Sequence, residues 1–190
     1  LILAGILLAS TTAMATQTQM FVGIEGSKVK TTVKEAAGLT VNGNTITANA
    51  STDIDDTAVG FKAGVILDET HRIALTYNKY DFNYESEATM YGVSYDYLID
   101  TNSKFTPYVG VHVRHGEMNA YNLVKDTGFF YGAQGGVIYD ITNQLQFEAG
   151  IAVSATNAEP STSISASNAT TTVNANYKMD IGTVTIMSAG

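Results

Sequence analysis

The chain has 190 residues, with 18 acidic and 10 basic side chains, a formal net charge of −8, no Cys and no Trp. The missing Cys excludes a disulfide scaffold and a Cys-based metal site. The acidic balance excludes a nucleic-acid binder, which needs clustered cations to neutralise phosphate.

The first residues form a short apolar run, Leu1 to Ala9, followed by small residues that end in Ala13-Met14-Ala15. This is the order of the apolar region and small-residue cleavage site of a signal peptide. The run is too short to anchor the chain in a bilayer. Residues 1–15 are therefore expected to be a signal peptide, clipped at its N-terminus, and 16–190 the mature domain, outside the cytoplasm.

Beyond it, charged residues make up only 15% of the chain, yet no interior stretch is apolar for long enough to cross a bilayer as a helix. Hydrophobicity recurs with period two instead. A first strand is expected around Met20 to Glu25. In Val59 to Leu67, apolar Val59, Phe61, Ala63, Val65 and Leu67 alternate with Gly60, Lys62 and Gly64. Ile73, Leu75 and Tyr77 alternate next, then Tyr91, Val93, Tyr95 and Tyr97, then Val109, Val111 and Val113. Tyr131, Ala133, Val137 and Tyr139 follow, then Leu145, Phe147, Ala149, Ile151 and Val153. A last strand is expected over 183–190, which makes about eight, an even number as bacterial membrane barrels use.

The connections alternate in length. Short links fall near 68–70, 100–104 and 140–144. Long polar links fall near 31–56, 80–88, 116–127 and 155–180, and parts of these Thr-, Asn-, Ser- and Ala-rich stretches are expected to be mobile surface loops. Short turns at one end and long loops at the other are the habit of outer-membrane barrels.

The second face decides membrane against soluble. It holds Gly23, Gly60, Gly64, Gly92, Gly110, Gly132, Gly136 and Gly150, beside Glu25, Lys62, Arg72, Asp96, Arg114, Gln134 and Glu148. Glycines next to long charged side chains suit a narrow lumen, where small residues make room for large ones. On a water-facing strand the same glycines would cost stability without packing gain. Tyr77, Tyr91, Tyr97, Tyr131 and Tyr139 lie toward the ends of the apolar faces, where interfacial aromatic girdles are expected. The expected fold is all-β: an eight-stranded antiparallel up-and-down transmembrane barrel, in the outer membrane of a Gram-negative bacterium.

The stretches Met20-Phe21-Val22-Gly23-Ile24-Glu25-Gly26, Pro107-Tyr108-Val109-Gly110-Val111 and Tyr131-Gly132-Ala133-Gln134-Gly135-Gly136-Val137 carry a resemblance to small outer-membrane β-barrels, the OmpA-like and opacity-type surface proteins. The resemblance covers most of the chain, and its short Gly-based patterns identify architecture better than function. One departure is Met187-Ser188-Ala189-Gly190, where such barrels place a terminal aromatic. The last strand is therefore expected to be cut short, and a periplasmic module could follow it.

For function, Glu25, Lys62, Arg72, Asp96, Arg114, Gln134 and Glu148 are expected to form a structural polar network that plugs the lumen, since buried charges persist when paired. A surface-interaction role then passes to four external loops. The alternatives are a narrow porin-like channel for ions or small solutes, and, less favoured, a lipid-modifying enzyme. No Ser–His–Asp set, phosphate loop or zinc signature stands out, so no catalytic, cofactor or metal residue is assigned. His112 and Arg114 should point inward and His115 outward, so the histidines cannot share a metal. Asp53, Asp55 and Asp56 read as a solvated acidic loop, bridged to lipopolysaccharide by divalent ions, rather than a calcium loop. Asn168-Ala169-Thr170 matches a glycosylation sequon that carries no meaning in a bacterial protein. The expected partners are outer-membrane lipid, lipopolysaccharide and a host or environmental ligand, with no nucleic acid, and the expected state is a monomer.

Overall fold

The computed structural model describes residues 18–82, 86–120, 124–158, 161–168 and 170–190. The expected signal segment lies outside them. The described elements are all strands: β1 (Thr18–Val41), β2 (Asn44–Leu67), β3 (His71–Phe82), β4 (Ser86–Leu98), β5 (Phe105–Ala120), β6 (Val124–Asp140), β7 (Gln146–Thr156), β8 (Ser161–Ser167), β9 (Thr172–Ile181) and β10 (Val184–Ala189).

Strands β1 to β7 pair antiparallel with their neighbours in chain order, and β10 closes the ring between β7 and β1. The ring is an eight-stranded up-and-down barrel. Following register partners once around it, from Ile66 through Arg72, Asp96, Gly110, Gln134, Ala152, Ile186 and Val29, returns to β2 at Asp56, ten residues from the start. Such a stagger goes with strands tilted by about 35–45°.

The outward face is apolar. Phe61, Leu75, Val93, Val111, Phe129 and Ile151 are all exposed. Two aromatic bands bound this belt. Above, Phe61, Tyr77, Tyr91, His115 and Phe129 are successive register partners across five strands. Below, His71 stacks on Tyr95 at 6.0 Å, and Phe105 lies 4.7 Å from Tyr139. An aliphatic band between amphipathic rings matches the profile of a bilayer rather than of water.

Turns at 68–70, 99–104 and 141–145 close one end, where the short links were expected. In the first, Asp68 and Glu69 take positive φ of 51° and 57°, and the Thr70 N–H donates back to the Leu67 carbonyl at 3.1 Å to close the turn.

At the other end the strands extend above the belt into the four long links, and less of those links is loop than expected. Strand pairing runs on through most of 31–56, 80–88, 116–127 and 155–180, apart from tips at 83–85, 121–123, 159–160 and 169 that lie outside the described residues. The β1–β2 ladder continues without a break from Thr18–Leu67 to Val41–Asn44 and turns at Asn42-Gly43, with φ of 48° and 86°. Asp53, Asp55 and Asp56 therefore sit on a strand, not in a loop. Strands β8 and β9, also unforeseen, form a hairpin that docks on the upper half of β1 through Val33–Ile181 to Val41–Val173. Together β2, β1, β9 and β8 make a four-stranded blade above the barrel. Backbone N–H and C=O groups demand partners wherever the chain goes, and antiparallel pairing supplies them even where side chains are small and polar.

The hinge between blade and ring is a one-residue bulge. Val33 pairs with Ile181, and Lys30 with Thr185, so Thr31 and Thr32 of β1 oppose the three residues Gly182, Thr183 and Val184. Gly182 N–H donates to Thr32 C=O at 2.9 Å across the gap.

Candidate functional site

The lumen is layered. At the turn-bearing end, Ile66, Leu98, Tyr108 and Ile138 form a small buried apolar cluster against Phe21. On it lies an ion network drawn from five strands. Arg72, on β3, donates from Nε to Asp96 Oδ2 on β4 at 2.9 Å. Its two terminal nitrogens fork onto Glu148 of β7 at 2.8 and 3.1 Å. Lys62, on β2, donates to Glu148 Oε1 at 2.7 Å. Gln134, on β6, donates to Asp96 Oδ1 at 2.6 Å. The Arg72 guanidinium stands 4.4 Å from the centre of the Tyr108 ring. Arg72 and Asp96 are 2% and 0% exposed, and buried charges of this kind persist when paired and hydrogen-bonded, as here by each other, Glu148 and Gln134.

A second set lies beside the first. Asn78 Nδ2 donates to Glu25 Oε1 at 3.0 Å, and Ser27 Oγ lies 3.5 Å from Asn78 Oδ1 and 3.3 Å from the Tyr80 hydroxyl. His112 Nε2 is 2.7 Å from Ser154 Oγ. One Arg114 terminal nitrogen and His112 Nδ1 are buried without a hydrogen-bond partner. Above these, Val29, Val33, Tyr80, Met90, Phe130, Ile181, Val184 and Ile186 build an apolar cluster at the outer mouth.

Glycines make this filling possible. A Cβ at Gly60 would meet the Asn78 side chain, at Gly92 the Arg114 side chain, at Gly110 the Asp96 carboxylate, and at Gly136 and Gly150 the Tyr108 hydroxyl. Each bulky group occupies the space beside a glycine on an adjacent strand, and the Tyr108 hydroxyl reaches past Gly136 to Gly150 two strands away.

All seven residues singled out from the sequence point inward, but they do not form one cluster. Lys62, Arg72, Asp96, Gln134 and Glu148 are joined directly. Glu25 is held by Asn78 instead, and Arg114 lies above Gly92 outside the ion network. Asn78, Tyr108, Ser27, Tyr80 and Ser154 share the lumen with them, and no charge marks these five in the sequence. Their signal was phase: Asn78 and Tyr80 follow Arg72 at even spacing, and Tyr108 precedes Gly110 and His112.

The outer groups diverge as expected for the histidines. His115 points outward between Tyr91 and Phe129, at 5.2 and 5.0 Å between ring centres. The three aspartates also part company. Asp53 accepts from Thr32 Oγ1 at 2.7 Å, Asp55 pairs with Lys28 at 2.8 Å, and Asp56 turns inward. Asp55 lies above the aromatic band, and the hydrogen bond from Lys28 holds its carboxyl below the ordinary 3.8. Among the described residues no group of three His, Cys, Asp or Glu is placed to hold a metal. Asn168 uses its carbonyl to accept from the Thr170 and Thr171 N–H groups at 3.0 and 2.8 Å, which closes the β8–β9 turn.

Comparison with solved structures agrees with the architecture. The outer membrane protein OprG from Pseudomonas aeruginosa superposes with a TM-score of 0.52 at 14% identity, over 85% of this chain and 95% of that one. Neisserial surface protein A gives 0.46 at 16%, over 85% and 95%. Ail of Yersinia pestis gives 0.40 at 9%, over 84% and 97%. No curated protein matches the chain. The family profile described as "Opacity family porin protein" matches residues 59–179, well over half the chain and six of the eight ring strands in whole or part. With the lipid-facing belt and the filled lumen, that match means that this chain belongs to the opacity family of outer-membrane β-barrel proteins.

Proposed function

We propose that the protein acts from its outer side, as a plugged barrel that holds an external β-blade at the cell surface, without enzymatic activity. The observation that carries this is the closure of the lumen by Arg72, Asp96, Glu148, Lys62 and Gln134, seated on Tyr108 and the apolar cluster below it. Eight strands leave an interior that side chains nearly fill, and here charged pairs and rings fill it. The blade supplies what the lumen does not, namely two paired hairpins standing clear of the membrane. Lys28 and Lys30 lie on the outward side of β1 just above the aromatic band, near Asp55 at 2.8 and 3.7 Å. That is the height of lipopolysaccharide phosphates, the lipid partner we propose.

The test is planar-bilayer recording of the refolded protein. The plug reading expects no large, stable openings, and such openings would overturn it. A narrow channel is the second reading, favoured by the charged side chains of Lys62, Arg72 and Glu148 that meet inside the lumen. Lys62→Ala separates the two: lost stability with no current supports the plug, and altered ion selectivity supports the channel.

A further inference from the structure

The blade is amphipathic in the opposite sense to the barrel below it. The β1–β2 ladder has no bulge, so the residues of β1 that face the lumen, such as Val29 and Val33, continue in phase as Ala37, Leu39 and Val41. Register partners extend this inner face across four strands, in rows such as Ile46, Leu39, Ala175 and Ile164. The opposite face is polar, with Thr45, Thr40, Asn174 and Ser165 in one row. Water explains the polar outer face. Among the described residues nothing covers the inner one: Ile46 is 73% and Ile164 69% exposed.

We propose that this inner face binds a neutral, single-chain aliphatic molecule that reaches the protein from outside. The proposal rests on the reading that the blade is the working part, and it names what the blade takes. Ala37, Leu39, Ile46, Ala48, Ile164 and Tyr177 line an open cleft of about 380 Å3, within the size range of small-molecule sites. The lining is chiefly aliphatic, with Tyr177, Thr162 and Asn176 as the exceptions, and this suits a flexible chain better than a stack of rings. Glu35 lies on the same face beside the lower end, opposite Met179, and disfavours an anionic chain. Met179 and Ile54 pack on the mouth cluster, so along β9 the apolar surface runs from the cleft through Tyr177 and Met179 to the barrel rim, with Glu35 beside it.

A second copy fits less well. A face four strands wide and about four rows long covers roughly 400 Å2, half of the about 800 Å2 per partner that a stable interface buries. It also faces over its own barrel mouth, so copies side by side in one membrane would meet through polar faces.

The experiment exploits the absence of Trp from the chain. Tyr177→Trp, with Thr162→Trp as a second reporter, is reconstituted in lipid nanodiscs without detergent, whose tails would compete. Bromododecanol is then titrated and Trp quenching read. Saturable quenching is expected, at least about tenfold weaker when Ile46→Asp and Ile164→Asp are added to a barrel that keeps its heat-modifiable migration. Unsaturable quenching that is equal with and without the aspartates would mean partition into lipid alone and would overturn the proposal. Clustering of protein-bearing vesicles, with no quenching and loss of clustering on Ile46→Asp, would assign the face to a second copy instead. Either failure leaves the plugged-barrel reading to the conductance test.

Discussion

Arg72 and Asp96 face each other as register partners on β3 and β4, and they are the most deeply buried opposite charges among the described residues. Breaking such a pair costs more than the pair itself contributes, because one desolvated charge is left behind. Asp96→Ala should therefore destabilise the barrel by about 3 kcal/mol. Gln134→Leu removes one neutral donor to the same carboxylate and should cost about 1 kcal/mol. Urea unfolding in lipid vesicles reads both, and equal losses would contradict the central place given to Arg72.

The glycine filling gives a second expectation. At Gly110 an added Cβ meets Asp96 and the Tyr95 carbonyl, whereas at Gly23, also on the luminal face, it meets nothing within 4 Å. Gly110→Ala should cost about 1–3 kcal/mol through overpacking. Gly23→Ala should be neutral or stabilise by about 0.5 kcal/mol, since Gly is the poorer strand residue. The same unfolding assay compares them.

Depth in the membrane is testable from outside. Val111 is 58% exposed and lies midway along the belt on β5. Val111→Arg should cost about 2–4 kcal/mol, against about 0–1 kcal/mol for Thr89→Arg above the aromatic band. Reversal of that order would displace the belt.

The Lys28–Asp55 pair predicts a pH response. Because the folded carboxyl titrates below 3.8, its contribution to stability is present above 3.8 and is lost as pH falls through the lower folded value. Lys28→Ala should move the Asp55 titration, followed by carboxyl NMR, upward toward 3.8. No movement would show that the pair does not persist in solution.

The barrel was readable because two solvents, lipid and a filled lumen, impose opposite demands on alternate residues, and Gly110 beside Asp96 tells which side is which. The blade was not readable for the same reason in reverse. In β2 the alternation Ile46, Ala48, Ala50 against Thr45, Thr47, Asn49 is present, but small side chains give it little contrast. In β8 serine occupies Ser161, Ser163, Ser165 and Ser167, so only Ile164 marks the other face. Asn42-Gly43 is a strong hairpin signal, but the low-contrast residues around it hide the two strands it joins. The division of the luminal residues into an ion network and an Asn78-centred set depends on reach between non-neighbouring strands, such as Arg72 to Glu148, which no local pattern encodes.

The extra residue at Gly182-Thr183 resets which residues face inward. Ile181 ends β9 on the inner side, and Val184 and Ile186 resume that side three and five positions later. A chain that changes step at one point insulates what lies on either side. The surface hairpins are free to lengthen, shorten or drift in sequence as their surroundings demand, and the ring beneath them keeps its closure.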